Sequence, residues 1–397
     1  MRILMIIPQE FYSTRGTPIS AYHRIRELMN CGYEIEVLTY KPGGDPPDLP
    51  VRIYRSRGPH FSNHIQPGPS RLKIWYDVLL FVNLIYRVAR GRYDALYAHE
   101  EGAFLARIVG WLTRTPYVYD MHSSLPRQIR EWSFSRRQWV VNFFAWVERF
   151  SVRGASVVVA ISPAVAQVAR KVRPGAPVVI IVNYYEMPNG PGSLTAAQVR
   201  ARHGIDPAAK LVVYTGSFVP LQALDTLVAA APRISERVSD VKFLLVGGRR
   251  EQIAALAALA SRLNVADRFI FEENRPQVEM RGYMDAADVL VSPRFAGINP
   301  PGKLFAYLSA DKPVVASDTP VHNQLLDSSC AILTEATPDK FADGVITALT
   351  DSERRAQVVA GARRFLNSHC SPEARRSAYV ALADGLTRMV TAPDVRD

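Results

Sequence analysis

Short apolar runs recur along the whole chain, and most are separated by longer stretches whose apolar positions repeat at helical spacing. RILMII (2–7), EIEVLTY (34–40), VRIYR (51–55), ALYAH (95–99), YVYDMH (117–122) and SVVVAIS (156–162) read as strands. Between several of them lie amphipathic segments such as ISAYHRIRELMNCG (19–32), which ends on a glycine stop. Periodicity vanishes in NYYEMPNGPGSL (183–194), a Pro-, Gly- and Asn-rich stretch that predicts a linker. The alternation then restarts with KLVVYTGS (210–217), VKFLLVGG (241–248), RFIFEEN (268–274), DVLVSPR (288–294), KPVVASD (312–318) and CAILT (330–334). Strand–helix alternation predicts parallel sheets with helices on both faces. Two such arrays predict an α/β protein of two doubly wound, Rossmann-like domains facing one cleft, 1–183 and 184–371, with ligands at the carboxyl ends of strands. The last helical stretch, 372–392, follows the second array and is a candidate to pack back on the first domain.

Length and composition agree with this division. A chain of 397 residues, 48% apolar and 21% charged, is globular and too long for one ordinary core. Cys31, Cys330 and Cys370 have neither metal nor disulfide spacing, which fits a reducing compartment. The N-terminus reads as a first strand rather than a signal peptide, and no run is long enough for a membrane span. These features place the protein in the cytoplasm, free or at the cytoplasmic face of a membrane.

The net charge of +11 is unevenly spread. Residues 1–190 hold 24 Lys and Arg against 14 Asp and Glu, and the remainder is nearly balanced. The first half is therefore either a solvated basic surface or one that meets phosphate-rich partners.

Candidate chemistry gathers at strand ends. In PRFAGINPPGKLFAYLSADKPVVASD (293–318) a strand ends at Arg294, a turn follows, and a short helix is predicted over 303–308. Gly297 lets a ligand approach the backbone, Asn299 and the prolines fix the turn, and Arg294 and Lys303 add charge beside a helix N-terminus. This is read as a phosphate site or as an ordinary connection carrying surface cations. His122 ends the YVYDMH strand, flanked by Asp120 and Ser123. His99 with Glu100 and Glu101 forms a second cluster, read as a solvated loop or an acceptor contact.

The 293–318 stretch resembles the C-terminal signature of glycosyltransferase family 4 enzymes, which have the GT-B fold. Other segments resemble that family in order: GTPISAYHRIRELMNCGYEIEVLTY, YDALYAHEEGAFLA and PYVYDMHSSLP in the first half, then KLVVYTGSFVPLQALDTLVAA and the stretch from VKFLLVGG to DVLVSPR. The resemblance covers nearly the whole chain. It implies a retaining, metal-independent hexosyltransferase that needs no cofactor and uses a nucleotide-sugar as co-substrate. It implies that the second domain holds the donor through Gly216, Ser217, Gly248, Arg249, Pro276, Val278, Arg294, Gly297, Asn299 and Lys303. Gly16 and Thr17 would close on the donor phosphates, and His122 would be the catalytic residue near the donor sugar.

Two departures from the family pattern stand out. Many members carry two glutamates with seven residues between; here those positions are Ile298 and Ala306, and Ala306 cannot accept a hydrogen bond. An Arg and a Lys often follow the first donor-domain strand; here that stretch offers Ser217 and Gln222. Arg294 and Lys303 are left to neutralise the diphosphate.

Two stretches of the first half bear on the acceptor. The segment 70–94 is an apolar helix flanked by basic residues, read as a buried core helix or as a membrane contact. The segment 126–154 interleaves Trp132, Trp139 and other aromatics with Arg136, Arg137 and further arginines, a pattern suited to peripheral membrane contact. No nucleic-acid motif accompanies the charge. The sequence thus points to a glycosyltransferase with a hydroxyl acceptor, lipid-linked or part of a surface glycan precursor. The rivals are an enzyme with a soluble small acceptor and a non-catalytic nucleotide-sugar-binding scaffold.

Overall fold

The computed structural model describes residues 1–12, 16–46, 48–58, 65, 71–131, 137–183, 190–296 and 301–391. The chain divides into two compact units, Met1–Asn183 with Pro372–Asp397, and Tyr184–Ser371.

The first unit is built on seven parallel strands: β1 (Arg2–Ile7), β2 (Glu34–Thr39), β3 (Arg52–Arg55), β4 (Ala95–His99), β5 (Tyr117–Met121), β6 (Val157–Ala160) and β7 (Val178–Ile180). Their order is β3-β2-β1-β4-β5-β6-β7. Six of the seven lie on the expected runs. The seventh, VVI, is three partly buried residues at the edge, too short for an apolar pattern to register.

Side chains alternate across a strand. Leu4 and Ile6 of β1, with Tyr117, Tyr119 and Met121 of β5, enter one core, which is covered by helices Arg71–Arg90 and Gly102–Thr113. Ile3, Met5 and Ile7, with Ala95, Tyr97 and Val118, enter the opposite core, which is covered by helix Gly16–Asn30 and the final helix Pro372–Thr391. The final helix inserts Leu382 and Leu386, both fully buried. Each contributes about 1.5–3 kcal/mol by burial, enough to hold the returning helix on this sheet. The alternation that seats Val118 against these two helices also turns Asp120 toward them.

The second unit has six parallel strands: β8 (Lys210–Thr215), β9 (Val241–Gly248), β10 (Phe269–Glu273), β11 (Val289–Ser292), β12 (Val314–Ser317) and β13 (Ile332–Thr334). Their order is β10-β9-β8-β11-β12-β13. The chain switches direction across the sheet between β8 and β11, the place where doubly wound sheets open a crevice. Helices Leu224–Arg237 and Pro338–Thr350 cover one face.

Candidate functional site

In the second unit, the carboxyl ends of β8 and β11 open onto a cavity of about 350 Å³. Tyr214, Gly216, Ser217 and Gln222 line it from the β8 side, Arg294 follows β11, and Pro301, Gly302 and Lys303 close it. Residues expected together from the sequence therefore meet: Gly216, Ser217, Arg294 and Lys303. Lys303 opens helix Lys303–Leu308, the span expected. That helix is pinned to β8, because the Thr215 backbone N–H donates to Tyr307 Oη at 2.7 Å. The pin sets the Lys303 ammonium 3.5 Å from the Tyr214 ring centroid, and Lys303 Nζ donates to Gln222 Oε1 at 3.2 Å. Gln222 stands in the stretch where the family often has a basic residue; here it carries the lysine instead.

No carboxylate pairs with Lys303 among the described residues. Burial, reinforced by Arg294, holds its ammonium well below the ordinary lysine value. A partly buried cation whose partners are neutral gains strongly from an incoming anion. Deeper down, His322 is fully buried. Its Nδ1 donates to the Ser317 carbonyl at 2.7 Å, leaving Nε2 to accept from the Ser292 hydroxyl at 3.0 Å. Burial lowers its pKa to about 4, opposed by the Ser317 carbonyl and assisted by Lys303 and Arg294. His322 is therefore a neutral strut beneath the cations.

Two glycines at this edge have a steric origin. Gly247 adopts φ +117°, and a Cβ there would lie 2.4 Å from the Gly216 carbonyl oxygen. A Cβ on Gly248 would strike Phe218 and Ile253 at 2.5 and 2.7 Å, so packing explains that glycine. Arg249 is exposed and precedes helix Arg250–Arg262, its backbone N–H donating to Gln252 Oε1 at 3.1 Å. Pro276 is exposed and Val278 half-buried. None of Gly248, Arg249, Pro276 and Val278 lines the cavity. Gly297, Ile298 and Asn299 lie outside the described residues, and Ala306 is buried in its helix.

In the first unit, β4 and β5 carry a buried charge network to their carboxyl ends. Asp120 is fully buried. Its Oδ2 accepts from Arg24 Nε at 3.0 Å and from Tyr97 Oη at 2.8 Å, and its Oδ1 lies 3.2 Å from His122 Nε2. Burial alone would raise the Asp120 pKa; Arg24, then His122 and His99, outweigh it and hold the carboxyl well below its usual range. Burial works against a charged His122, yet Asp120 and then Glu100 outweigh it and raise its pKa. His99 goes the other way. Burial leads, only partly opposed by Asp120, and takes it to about 3.

Glu100 is buried with φ +49°, an uncommon conformation for a side-chain-bearing residue, and burial raises its carboxyl pKa. Glu101 pairs with Lys73 and is not a bare loop carboxylate. The ligand atoms of His99, Asp120 and His122 all lie within 4.8 Å of one another, a spacing a metal could use. Arg24 already occupies Asp120 Oδ2, so the trio acts as a charge network around His122.

Gly16 begins helix Gly16–Asn30, and Thr17 is half-buried. Trp132 and Arg136 lie outside the described residues, while Arg137 and Trp139 are exposed at the start of helix Gln138–Gly154. The helix over 74–89 has a buried face, as the core reading expected, and an exposed apolar one. Tyr76, Leu80 and Leu84 are fully buried, while Ile74, Val78, Val82 and Ile85 are exposed on the other side. Sequence reasoning missed Arg24 as a site residue. Its signal was an arginine on the apolar stripe formed by Ala21, Ile25 and Leu28.

Each unit also matches a family of known proteins. Residues 15–184 match a family model described as glycosyl transferase 4-like domain, and residues 209–351 match one described as glycosyl transferases group 1. The chain belongs to the family 4 glycosyltransferases. The chain is 29% identical over 177 residues to a GDP-mannose-dependent alpha-(1-6)-phosphatidylinositol monomannoside mannosyltransferase of Mycolicibacterium smegmatis. That match covers 43% of this chain and 46% of the relative, so the chain spans about half the length of that curated protein. A phosphatidyl-myo-inositol mannosyltransferase of the same organism is 24% identical over 91% of this chain and 88% of its own. The structure of Anabaena Alr3699/HepE in complex with UDP superimposes with a TM-score of 0.75 at 17% identity, covering 97% of this chain and 100% of that one. The fold is GT-B.

Proposed function

We propose that this glycosyltransferase moves a hexose from a nucleotide-sugar to a hydroxyl group of a lipid-linked acceptor, with retention at the anomeric carbon. The observation that carries the reading is the Lys303 ammonium, lodged in a cavity without a carboxylate partner among the described residues. The donor diphosphate is assigned to that cavity, against Lys303 and Arg294. As the bond from the anomeric carbon to the diphosphate oxygen breaks, its electron pair stays on the diphosphate, and fixed positive charge lowers that barrier. The acceptor oxygen bonds to the same face of the sugar and gives its proton to the departing diphosphate oxygen. His122, whose proton affinity Asp120 raises against the effect of burial, is assigned to a sugar hydroxyl, where an imidazole N–H donor supports charge developing in the transition state. The names of the relatives support this direction, since they specify GDP-mannose and inositol lipids, and the solved neighbour holds UDP.

A lipid-linked acceptor is supported by the outer side of three helices of the first unit. Gly102–Thr113 packs against both Arg71–Arg90 and Gln138–Gly154. Among the described residues, eleven of the fourteen exposed large apolar side chains lie on these helices, including Val78, Val82, Trp111, Trp139, Phe143 and Trp146. Arg90 and Arg149 are exposed beside them. Their acidic residues are both engaged: Asp77 lies 3.6 Å from Lys73 Nζ, and buried Glu148 accepts the Leu125 N–H at 2.9 Å. Exposed aromatics with unopposed arginines suit the anionic face of a bilayer. Among the described residues, no helix is long and apolar enough to cross one, so the contact would be peripheral.

The test is turnover. Purified protein with UDP- and GDP-sugars should release nucleoside diphosphate when an inositol-lipid or polyprenol-phosphate acceptor is supplied in vesicles, and His122→Ala should not. Donor binding without release under any acceptor would favour the scaffold reading that Ala306 suggests.

A further inference from the structure

The His122 site reaches further into the fold than the strand that carries it. Arg24 is 2% exposed and sits mid-helix in Gly16–Asn30. Its guanidinium spans two partners at once: Nε donates to Asp120 Oδ2 at 3.0 Å and Nη1 donates to Tyr379 Oη at 3.1 Å. Tyr379 is 6% exposed and belongs to helix Pro372–Thr391, separated from Arg24 by 355 positions in the sequence. The guanidinium also lies 5.6 Å from the Tyr379 ring centroid. A planar fork fixed at two ends constrains the carboxylate it grips, whereas a single cation would only neutralise it. With Oδ2 held by Arg24 and Tyr97, Asp120 is left to present Oδ1 to His122.

We propose that Arg24 is a positioning residue for His122, held in turn by Tyr379, so that the C-terminal helix is a working part of the His122 site. This rests on the reading that His122 serves sugar transfer, but its physical content is separate: the orientation of Asp120 depends on the two-ended grip. Among the described residues, the charged and titratable groups that face His122 include Asp120 from β5, His99 and Glu100 from the end of β4, and Arg24 from the first helix. A simple neutralising role for Arg24 and a positioning role part company when its charge is kept and its geometry removed.

Arg24→Lys keeps the charge and loses the fork; Tyr379→Phe keeps both charges and loses the second anchor. The measurement is the proton titration of His122 by NMR of histidine-labelled full-length protein without substrate, with His122→Gln assigning the resonance. The grip on Asp120 loosens in both variants, so the His122 midpoint should fall. A drop of about 0.5 pH unit, a threefold change in proton affinity, is expected for Arg24→Lys, with a smaller shift in the same direction for Tyr379→Phe. Tyr33→Phe is the control. Tyr33 also ties the first helix region to the C-terminal helix, through its Oη to the Ala383 carbonyl at 3.4 Å, but has no link to Asp120. It should leave His122 unmoved. In turnover assays Arg24→Lys should lower kcat about tenfold with the donor KM unchanged.

An unmoved His122 midpoint in a folded Tyr379→Phe protein overturns the proposal, whether or not Arg24→Lys folds. So does an equal shift in Tyr33→Phe, which would reduce the effect to general docking of the helix. A shifted midpoint in a protein that turns over no donor would sink the transfer reading alone and leave the grip standing.

Discussion

The Lys303 ammonium stands 3.5 Å from the centroid of the Tyr214 ring and has no carboxylate partner among the described residues. Its neighbours are a π face, the Gln222 amide oxygen and a second cation, Arg294, whose charge further depresses its pKa. Such a site is stable enough to fold and poorly satisfied until an anion arrives.

Lys303→Met should therefore act oppositely on binding and on stability. Losing a charge-assisted contact worth about 1.5–3 kcal/mol weakens nucleoside diphosphate binding roughly 10- to 100-fold. The ligand-free protein should melt at the same or a higher temperature, because a desolvated charge has been removed. Calorimetric titration and thermal unfolding of one preparation check both.

Asp120→Asn should be costly to the fold. It breaks the buried contact with Arg24, a loss of about 3 kcal/mol or more. The pH dependence has a definite sign. The folded carboxyl pKa lies below the unfolded value of about 3.9, so this stabilisation is present above that value and fades as the pH falls below it. Acid unfolding curves of the two proteins should converge below that pH and separate above it.

Buried histidines set a second window. His99 and His322 are lowered to about 3 and about 4. Between the unfolded value of about 6.5 and those pKa values, the unfolded chain binds protons that the folded protein refuses, so stability drops by about 1.4 kcal/mol per pH unit for each such group. His322→Gln should flatten the fall between pH 6.5 and 4 by one proton's worth, read from denaturant midpoints at fixed pH.

Much of this was legible in the sequence and some was not, for physical reasons. The strand runs, the helix at 303–308 and the pairing of Arg294 with Lys303 rest on local periodicity and on the rule that sites gather at strand ends, whereas Gly216 joined them only through the family resemblance. Tyr214 and Tyr307 were hidden because a strand tyrosine and a helix tyrosine look like core. Arg24 and Tyr379 were hidden because their partners lie 96 and 355 positions away. The helix Arg71–Arg90 was half legible: its apolar content hid a buried face and an exposed one, and composition does not separate the two.

Gly247→Ala should destabilise the second unit. Its positive φ disfavours a side chain, and the added Cβ would meet backbone, which does not give way as a flexible side chain would. A loss of about 1–3 kcal/mol is expected in chemical denaturation. Gly175→Ala, at φ +78° with open space around it, shares the backbone strain without the collision and should lose less.

On the membrane side, Val82→Glu combined with Trp139→Glu should lower binding to phosphatidylglycerol vesicles at least tenfold without changing the unfolding midpoint, since both side chains are more than half exposed. Reversal of charge at Arg90 should weaken binding further and reduce its salt sensitivity, at about 1 kcal/mol per charge near the surface. Co-sedimentation at two salt concentrations reads both effects.

The most direct measurement is a thermal-shift series with UDP, GDP, UMP and free hexoses on wild-type protein and on Lys303→Met. At a hundredfold excess over Kd, a ligand bound only by the folded state adds about 2.7 kcal/mol. A diphosphate should raise the wild-type midpoint, the hexoses should not, and the Lys303→Met protein should lose most of the diphosphate response. An equal diphosphate shift in both proteins, or none from either UDP or GDP, would contradict the assignment of the cationic cavity to the donor.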